Sequence, residues 1–505
     1  MHTLSVRQCR RSFGGFRTSV LKARMTRSAW RPRALSPSVP VYRAIADALA
    51  ADRAAGRLTP GERLPTHRAL ADSLGVTVTT VSRAYAEATR RGLVEGTVGR
   101  GTFVRAPGPG PGGHVGGGAR LTFDFDDGTG NGTVGPAVRP VDLGPNHPAA
   151  VGAEQRLAET LAVLATDPAA LQPLAAYQLH DAAPRYRAAG ATWMARAGMP
   201  DDPDAVVVTG GVQHGIAVTM LTLLRPGETA LCADICYPGI KLLAHRHGVD
   251  LVGVPLDAEG LVPDALDEAA ARTGARALFC IPTLQNPTAA VSSPQRRAAL
   301  AEVAERRDLT VIEDDIYGLL PEQRPAPLAT LIPHRTVFLT GTAKALAPGL
   351  RTGFAQVPPT LRAQFVATVW ATIWMAAPLM VEITTRWIED GTADALVAAQ
   401  RRAVAERLVI AAEELGDLPW HGGPNTLHLW LTLPAPWRAE AFRDILAARG
   451  VLVQPAAVFH VGPGRMPEGV RLCVGGEPDL DRLRGALAAV RAVYDAGPFT
   501  LTRGP

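Results

Sequence analysis

Lysine is nearly absent from this chain. Of the 52 basic residues among 505, only Lys22, Lys241 and Lys344 are lysines, and the other 49 are arginines. A guanidinium stays protonated at ordinary pH, whereas an amine can lose its proton and react with a carbonyl group. Amine chemistry in this protein therefore depends on one of three positions.

Cysteine pairs and long apolar runs are missing as well. The cysteines form no C-x-x-C pair and no cluster with histidine at zinc-site spacing: Cys9, Cys232, Cys236, Cys280 and Cys473. This excludes a disulfide scaffold and predicts reduced thiols and no structural metal. No apolar run reaches the roughly 18–20 residues that cross a bilayer. We expect a soluble, cytoplasmic, globular protein that binds no membrane.

Acidic residues are absent from the first 35 positions, where nine residues are basic. That composition fits a disordered basic arm or a mitochondrial transit peptide, and translation from Met25 would remove most of it. We favour an arm over residues 1–36. Through residue 105 the chain holds 19 basic and 6 acidic side chains, and the remainder holds 33 and 41. The N-terminal part of the chain, through residue 105, is thus predicted to bind a polyanion.

Glycine and proline separate two predicted domains. Ten of the thirteen residues from 106 to 118 are Gly or Pro, a composition that cannot bury apolar side chains and is typical of a linker. We place the linker at 106–138, one domain before it at 37–105 and another after it at 139–505. As a coil, the segment 106–118 has a root-mean-square span of ~20 Å, so the front domain can reorient.

The front domain is predicted to contain three helices and a hairpin. Apolar spacing predicts a helix over 41–55, Thr66 can cap a second short helix, and Gly75 allows the turn into a third helix over 77–91. Segment 93–104 alternates around glycines, as a two-stranded wing does. A helix, a tight turn and a second helix form the helix-turn-helix, whose second helix enters the DNA major groove.

These residues resemble the GntR-type winged helix along their whole length, from LTPGERLP through RALADSLGVT and TVSRAY to GRGTFV. Many relatives carry Arg where this chain has Val78, so base readout there would be apolar, against a thymine methyl for example. The alternative interpretation is that Arg68, Arg90 and Arg91 only solvate helix faces. The resemblance implies double-stranded operator DNA as a partner, contacted by Arg68, Thr77, Thr79, Thr80, Gly99 and Arg100.

The back domain alternates short apolar runs with alanine-rich helices. The runs are AVVVTGG, TALCADI, LVGVPL, ALFCIP, TVIEDD and TVFLTG. Strands that are apolar on both faces and separated by helices predict an α/β domain with a mostly parallel sheet. Ligands of such folds gather at the carboxyl ends of strands. Taken alone, the two-glycine segment after the first run is weak evidence for an anion site, and Tyr237 and Asn286 could simply belong to turns.

Together, the motifs GGVQ, YPG, NPT, D-x-x-Y and KALAPGLR resemble a fold-type I, class I aminotransferase over about 370 residues. The resemblance implies pyridoxal 5'-phosphate as cofactor, with Lys344 as its Schiff-base residue and Asp314 on its pyridinium nitrogen. Asn286 and Tyr317 would bond its phenolic oxygen, and Tyr237 would stack on its ring.

The resemblance also implies two anion sites. Arg471 would hold the carboxylate of an effector or substrate. The phosphate would be bound by Gly211, Val212, Gln213 and Arg351, with Tyr177 reaching the phosphate of the neighbouring subunit. Relatives usually place hydroxyl residues where this chain has Gly341 and Ala343, and Thr340 and Thr342 are the candidates to replace them. Lys241 is expected on a solvated helix face.

A GntR head joined by a linker to an aminotransferase body resembles the MocR/GabR-type regulators. The resemblance implies a head-to-tail homodimer that regulates transcription in response to pyridoxal phosphate, often with a small amino-group effector. Two alternatives stay open. The residues needed for amino transfer are all present, which allows an active aminotransferase, and an inert body would leave a purely DNA-binding protein.

Overall fold

The computed structural model describes residues 30–32, 41–55, 57–59, 62–90, 93–97, 101–104, 139–178, 183–464 and 466–500. The chain divides into two compact units, Met1–Thr122 and Phe123–Pro505. We call them the head and the body. The predicted linker and most of the predicted arm lie outside the described residues, so the domain limits stay predictions.

The head consists of three helices and an antiparallel strand pair, as predicted. They are α1 (Val41–Ala54), α2 (His67–Leu74), α3 (Val78–Arg90), β1 (Val94–Thr97) and β2 (Gly101–Val104). Helix α2 begins where the Thr66 side chain accepts a hydrogen bond from the Ala69 amide at 3.2 Å. It ends at Gly75, whose φ of 67° is the left-handed conformation that glycine adopts without strain.

Trp30, which the sequence assigns to the basic arm, packs on the head. Its indole Nε1 donates a hydrogen bond to Asp52 Oδ2 at 2.7 Å. Its ring lies against the apolar core of the head, which includes Ile45, Leu49 and Tyr85.

The body contains twelve helices within the described residues. They are α4 (Ala153–Ala165), α5 (Pro168–Leu174), α6 (Pro184–Ala195), α7 (Val212–Leu223), α8 (Pro238–His247), α9 (Pro263–Thr273), α10 (Pro294–Arg306), α11 (Pro359–Ile373), α12 (Pro378–Glu389), α13 (Thr392–Leu415), α14 (Ala439–Ala448) and α15 (Leu480–Thr500). Its strands are β3 (Val141–Asp142), β4 (Val206–Thr209), β5 (Thr229–Ala233), β6 (Asp250–Val254), β7 (Leu256–Asp257), β8 (Gly260–Leu261), β9 (Ala277–Cys280), β10 (Thr310–Asp314), β11 (Thr336–Gly341), β12 (Gly353–Gln356), β13 (Trp420–His421), β14 (His428–Thr432), β15 (Val451–Leu452), β16 (Gln454–Pro455) and β17 (Gly469–Cys473).

Seven of these strands form one sheet in the order β4-β12-β11-β10-β9-β5-β6. The pairs among β11, β10, β9, β5 and β6 are parallel, and β12 is antiparallel to both of its neighbours. The six predicted apolar runs supply every strand except β12, which confirms the mostly parallel α/β fold. Buried apolar clusters cover both faces of the sheet.

A second, antiparallel sheet of order β13-β14-β17-β16 packs with its own apolar cluster near the C-terminus. The parallel pair of β3 and β15 attaches the first strand of the body to this C-terminal part. Consequently the loop after β3 lies close to β17, although 327 residues separate Gly144 from Arg471.

Within the described residues, no helix has the length and apolar character needed to cross a bilayer. The same part of the chain contains no group of three or more histidine, cysteine or acidic side chains placed to hold a metal ion.

Candidate functional site

The polar residues predicted to form a site follow strands of the large sheet. Asp314 is the last residue of β10, Lys344 comes three residues after β11, and α7 begins shortly after β4. Because β10 and β11 are parallel, their carboxyl ends meet at one edge of the sheet. The chain thereby brings a carboxylate, an amine and a helix N-terminus to the same edge.

The Lys344 amine is half-buried and held in place by the main chain. Its Nζ donates a hydrogen bond to the main-chain oxygen of Asn146. Burial lowers the pKa of Lys344 to about 8, and the positive charges of Arg471 and Arg351 act in the same direction, while Asp314 opposes them. Part of the Lys344 amine is therefore in its neutral, nucleophilic form near neutral pH.

The Asp314 carboxyl group is buried next to this amine. Burial raises the pKa of Asp314 to about 7, although the Ile316 amide donates to Oδ1 at 3.1 Å and the Lys344 charge favours ionisation. A protonated ring nitrogen placed against this group would hold it ionised. The geometry therefore suits an aromatic nitrogen cation.

Tyr317 and Asn286 meet beside Lys344. The Tyr317 hydroxyl accepts hydrogen bonds from Asn146 Nδ2 at 3.0 Å and from Asn286 Nδ2 at 3.4 Å. Asn286 Oδ1 accepts from Arg471 Nη1 at 2.8 Å. Burial raises the pKa of the Tyr317 phenol, so it stays protonated.

Arg471 lies on β17 and is buried in the same cluster. Its Nη2 donates to the Gly144 carbonyl at 2.6 Å, and its guanidinium carbon lies 4.8 Å from the centre of the Phe459 ring. Its Nε is buried and has no hydrogen-bond partner. A buried guanidinium with an unused donor is suited to bind a carboxylate.

The start of α7 forms a cradle for an anion. Gly211 precedes the helix with φ 93°, and a Cβ at that position would lie only 3.0 Å from Arg351 Nη2. Arg351 itself has a left-handed φ of 46°. The first turn leaves the amides of Val212 and Gln213 without intrahelical partners, and the helix dipole favours negative charge there. Glycine thus lets the arginine and the helix N-terminus approach one another.

The threonines proposed to replace the missing hydroxyls are already engaged. The Thr340 hydroxyl donates to the Asp315 carbonyl at 3.4 Å, and the Thr342 hydroxyl donates to the Thr352 carbonyl at 3.3 Å. A Cβ at Gly341 would lie 2.8 Å from the Thr352 oxygen, so a side chain does not fit there. The expectation that these threonines compensate is not supported, and the anion cradle depends on α7 and Arg351.

The two predicted tyrosine positions differ. Tyr237 is half-buried, and burial raises the pKa of its phenol to about 12. Its Cε1 would lie 2.3 Å from a Cβ at position 239, so only glycine admits the ring there. Tyr177 is 71% exposed, with its ring 6.0 Å from that of Trp374. Among the described residues, no hydrogen bond joins Tyr177 to the Lys344 cluster.

Asn146 and His428 belong to the cluster and were not predicted. His428 is buried at the start of β14, with its Nε2 2.9 Å from the Gln285 carbonyl and its Nδ1 3.0 Å from Asn146 Nδ2. The only sequence signal was a histidine in an otherwise apolar strand, LHLWL. Asn146 offered none, since it lies 171 positions before Tyr317.

In the head, Arg68 is exposed on α2, and Thr77, Val78 and Thr79 are exposed at the start of α3. Thr77 Oγ1 accepts from the Thr80 amide at 3.2 Å and lies 2.9 Å from Thr80 Oγ1. Thr77 thus caps α3, a structural role in addition to the predicted DNA contact. The predicted wing contacts Gly99 and Arg100 lie outside the described residues, as does Arg91.

Two family models match the chain. Residues 141–487 match "Aminotransferase class I and II", and residues 41–104 match "Bacterial regulatory proteins, gntR family". The uncharacterized HTH-type transcriptional regulator YdeF of Bacillus subtilis is 27% identical over 92% of this chain and 97% of its own length. The HTH-type pyridoxine biosynthesis transcriptional regulator PdxR of Corynebacterium glutamicum is 26% identical over 88% of this chain and 94% of its own. The structure of an archaeal alanine:glyoxylate aminotransferase aligns with a TM-score of 0.65 at 20% identity, over 71% of this chain and 91% of the other.

Proposed function

We propose that this chain, which belongs to the aminotransferase class I and II family and carries a GntR-family head in the MocR-type arrangement, is a transcriptional regulator. Its body would sense pyridoxal 5'-phosphate. Regulators similar over nearly the whole chain support this proposal. We also propose that it acts in the cytoplasm, where operator DNA and free cofactor are both present.

The observation that carries the sensor proposal is the convergence of three groups at one sheet edge. Lys344 offers an amine, Asp314 a buried carboxyl group and the start of α7 an anion cradle. The cofactor supplies an aldehyde that bonds to an amine and a ring that withdraws electrons. Its phosphate matches the cradle, its ring nitrogen matches Asp314, and the amine of Lys344 would hold it covalently.

The other cluster residues fit the remaining parts of the ligand. Tyr317 and Asn286 would bind the phenolic oxygen, and the Tyr237 ring would lie against the pyridine. Arg471, which Asn286 and Gly144 hold in place, would bind the carboxylate of an amino-group effector. An effector changes DNA binding only if it contacts two states of the protein differently.

The head would bind double-stranded DNA. Arg68 is exposed and would contact phosphates. Thr77, Val78, Thr79 and Thr80, at the start of the proposed recognition helix, would offer methyl and hydroxyl groups to the bases. Val78 is 44% exposed, so its methyl groups are available to a thymine methyl. Gly99 and Arg100 in the wing complete the proposed contact set.

The body would form a homodimer. Large apolar side chains are exposed near the end of α11: Trp370, Ile373, Trp374 and, beside them, Tyr177. An exposed apolar patch of this kind marks an interaction surface. In the proposed head-to-tail dimer this surface faces the second subunit, and Tyr177 reaches the phosphate of that subunit.

The covalent part of the proposal is tested by absorbance. Purified protein mixed with pyridoxal phosphate should develop a long-wavelength band, and Lys344→Ala should abolish it because the amine is lost. Lys241→Arg is the matched control, since it removes another lysine and keeps the charge. A band that persists in the Lys344→Ala protein contradicts the assignment.

The regulatory part is tested by titrating a promoter fragment near the coding region with and without the cofactor. A stated, fixed salt concentration is needed because the phosphate contacts are strongly salt-dependent. A change in affinity upon addition of pyridoxal phosphate is expected in the unmodified protein and not in Lys344→Ala. If the affinity for DNA is the same with and without the cofactor in both proteins, the body does not regulate DNA binding.

An active aminotransferase is the second candidate, because Lys344, Asp314 and Arg471 all lie in the site. The two candidates differ in turnover. A regulator is expected to exchange an amino group at most once per bound cofactor, whereas an enzyme transfers many to a keto acid. Steady-state product in excess of the protein concentration would favour the enzyme.

A further inference from the structure

A chain of hydrogen bonds joins the two sheets of the body and ends on Tyr317. It runs from the Gln285 carbonyl to His428, from His428 to Asn146 and from Asn146 to the Tyr317 hydroxyl, with distances of 2.9, 3.0 and 3.0 Å. The proposed function uses Tyr317 but gives no role to His428 or Asn146. The direction of each bond follows from the chemistry of its ends.

The first bond fixes the tautomer of His428. A carbonyl oxygen only accepts, so His428 Nε2 carries the hydrogen that points to Gln285. Burial, together with the nearby charges of Arg471 and Lys344, lowers the pKa of His428 to about 3 and keeps the ring neutral. His428 Nδ1 is therefore a bare acceptor.

The bare acceptor fixes the orientation of the Asn146 carboxamide. Only its amide nitrogen can donate to His428 Nδ1, so Nδ2 faces the ring and its second hydrogen points to the Tyr317 oxygen. This orientation leaves Oδ1 of Asn146 buried with no hydrogen-bond partner, as the structure shows.

The orientation of Asn286 is fixed from the opposite side. Arg471 donates to Asn286 Oδ1 at 2.8 Å, which turns Nδ2 of Asn286 toward the Tyr317 hydroxyl at 3.4 Å. The Tyr317 oxygen thus receives two N–H donors and has two lone pairs to accept them. Among the described residues, no acceptor is bonded to the Tyr317 hydrogen, so this hydrogen is available to donate to a ligand.

We propose that His428 and Asn146 are positioning residues that make Tyr317 an obligate hydrogen-bond donor toward the phenolic oxygen of the cofactor. The inference rests on the proposed cofactor site and adds two residues to it. Donation to this oxygen stabilises the form of the Lys344–cofactor adduct that has lost a proton. The residues therefore lower the pH at which the adduct titrates.

The test is a pH titration of the absorption band formed with pyridoxal phosphate. His428→Phe keeps a ring in contact with Tyr317, at a centroid distance of 5.3 Å, and removes both nitrogens. We expect its titration midpoint to rise by about one to two pH units, the size of one hydrogen bond to a charged group. Tyr317→Phe should raise the midpoint similarly.

The double variant His428→Phe with Tyr317→Phe separates positioning from a general effect. If His428 acts through Tyr317, the two shifts do not add, and the double variant titrates like Tyr317→Phe alone. His428→Gln should restore the midpoint of the unmodified protein, because an amide both donates and accepts. Thr432→Ala, at an exposed position of the same strand, is the control.

Asn146→Leu is the second variant, in case the phenylalanine protein does not fold. It adds no charge and removes the amide that donates to the Tyr317 oxygen, so the Tyr317 hydrogen is no longer directed to the ligand and the midpoint should rise in a Tyr317-dependent way. Two results would overturn this inference and leave the cofactor proposal intact. One is a double variant whose shift equals the sum of the two single shifts. The other is a midpoint that is unchanged in His428→Phe but raised in Tyr317→Phe. Absence of any band in the unmodified protein would overturn the cofactor proposal as well.

Discussion

At the residue scale, the two lysines of the body have different environments. Lys241 was expected on a solvated face, but its Nζ donates to the Val458 carbonyl at 2.9 Å and is half-buried. This correction makes Lys241 a link between α8 and the C-terminal part of the body. Lys344 instead lies among Asp314, Arg351 and Arg471, whose charges all act on its amine.

The environment of Lys344 predicts the pH dependence of cofactor attachment. Only the neutral amine attacks the aldehyde, and burial lowers its pKa to about 8, so the rate of band formation should rise with pH and level off above about pH 8. An unperturbed lysine would instead require about pH 10.4. Stopped-flow absorbance across this range measures the midpoint, and a midpoint near the ordinary lysine value would contradict the prediction.

At the element scale, two helical glycines of the body have opposite surroundings. Gly190 of α6 faces the large sheet, and a Cβ there would lie 2.5 Å from Phe354 Cδ1 and 2.9 Å from Val206 Cγ1. Gly485 of α15 is exposed, and a Cβ there would meet nothing within 4 Å. The first glycine allows close packing, whereas the second only costs backbone entropy.

The same substitution should therefore have opposite effects at these glycines. Gly190→Ala is expected to lower the free energy of unfolding by about 1–3 kcal/mol, because the methyl group overlaps the Phe354 ring. Gly485→Ala is expected to raise it by about 0.5–1 kcal/mol, because alanine favours the helix. Chemical denaturation of each variant beside the unmodified protein measures both, and equal signs would contradict the packing argument.

At the scale of the whole molecule, the proposed dimer depends on the exposed aromatic surface. Trp374 is 52% exposed and has a left-handed φ of 68°, a backbone strain that costs about 1–3 kcal/mol and persists only when the surroundings impose it. Its exposure in one chain, combined with this strain, is consistent with a second subunit covering it.

Trp374→Asp should weaken dimerisation by about 30-fold or more, the effect of removing an interface aromatic worth about 2 kcal/mol. Leu331→Asp is the matched control, since Leu331 is also an exposed apolar residue and lies away from the aromatic surface in sequence. Analytical ultracentrifugation over a range of concentrations measures the dissociation constant. Dimers of unchanged stability would locate the interface elsewhere.

The charge of the head predicts how DNA binding responds to salt. Arg68→Ala removes one proposed phosphate contact, so affinity should fall similarly for all sequences, and the slope of log affinity against log salt should decrease by about one. Val78→Ala should instead change the preference among sequences and leave the slope unchanged. Binding titrations with operator and unrelated DNA at several salt concentrations distinguish the two results.

Much of the architecture could be predicted because its signals are local. The six apolar runs form strands. Thr66 and Gly75 lie at the two ends of the short helix of the head, as predicted. The order of the motifs also placed the main candidate site residues after strands. Strand β12 was missed because it is short and runs antiparallel within a parallel sheet. Trp30 was missed because its contact with Asp52 joins the head to a segment whose composition suggested an arm.

The sequence by itself determined the fold class and the GntR-type head and predicted Lys344 as the reactive amine, because each depends on residue type and on spacing along a short stretch. Only the tertiary structure decided which groups surround that amine. Asn146 and His428 are 282 positions apart and meet because β3 pairs with β15 and the Leu143 carbonyl accepts a hydrogen bond from the Cys473 amide of β17, which neighbours β14. The tertiary structure likewise showed that the hydroxyls of Thr340 and Thr342 donate to main-chain carbonyls. Whether a hydroxyl is free to bind a ligand depends on its neighbours in the fold, which the sequence does not reveal.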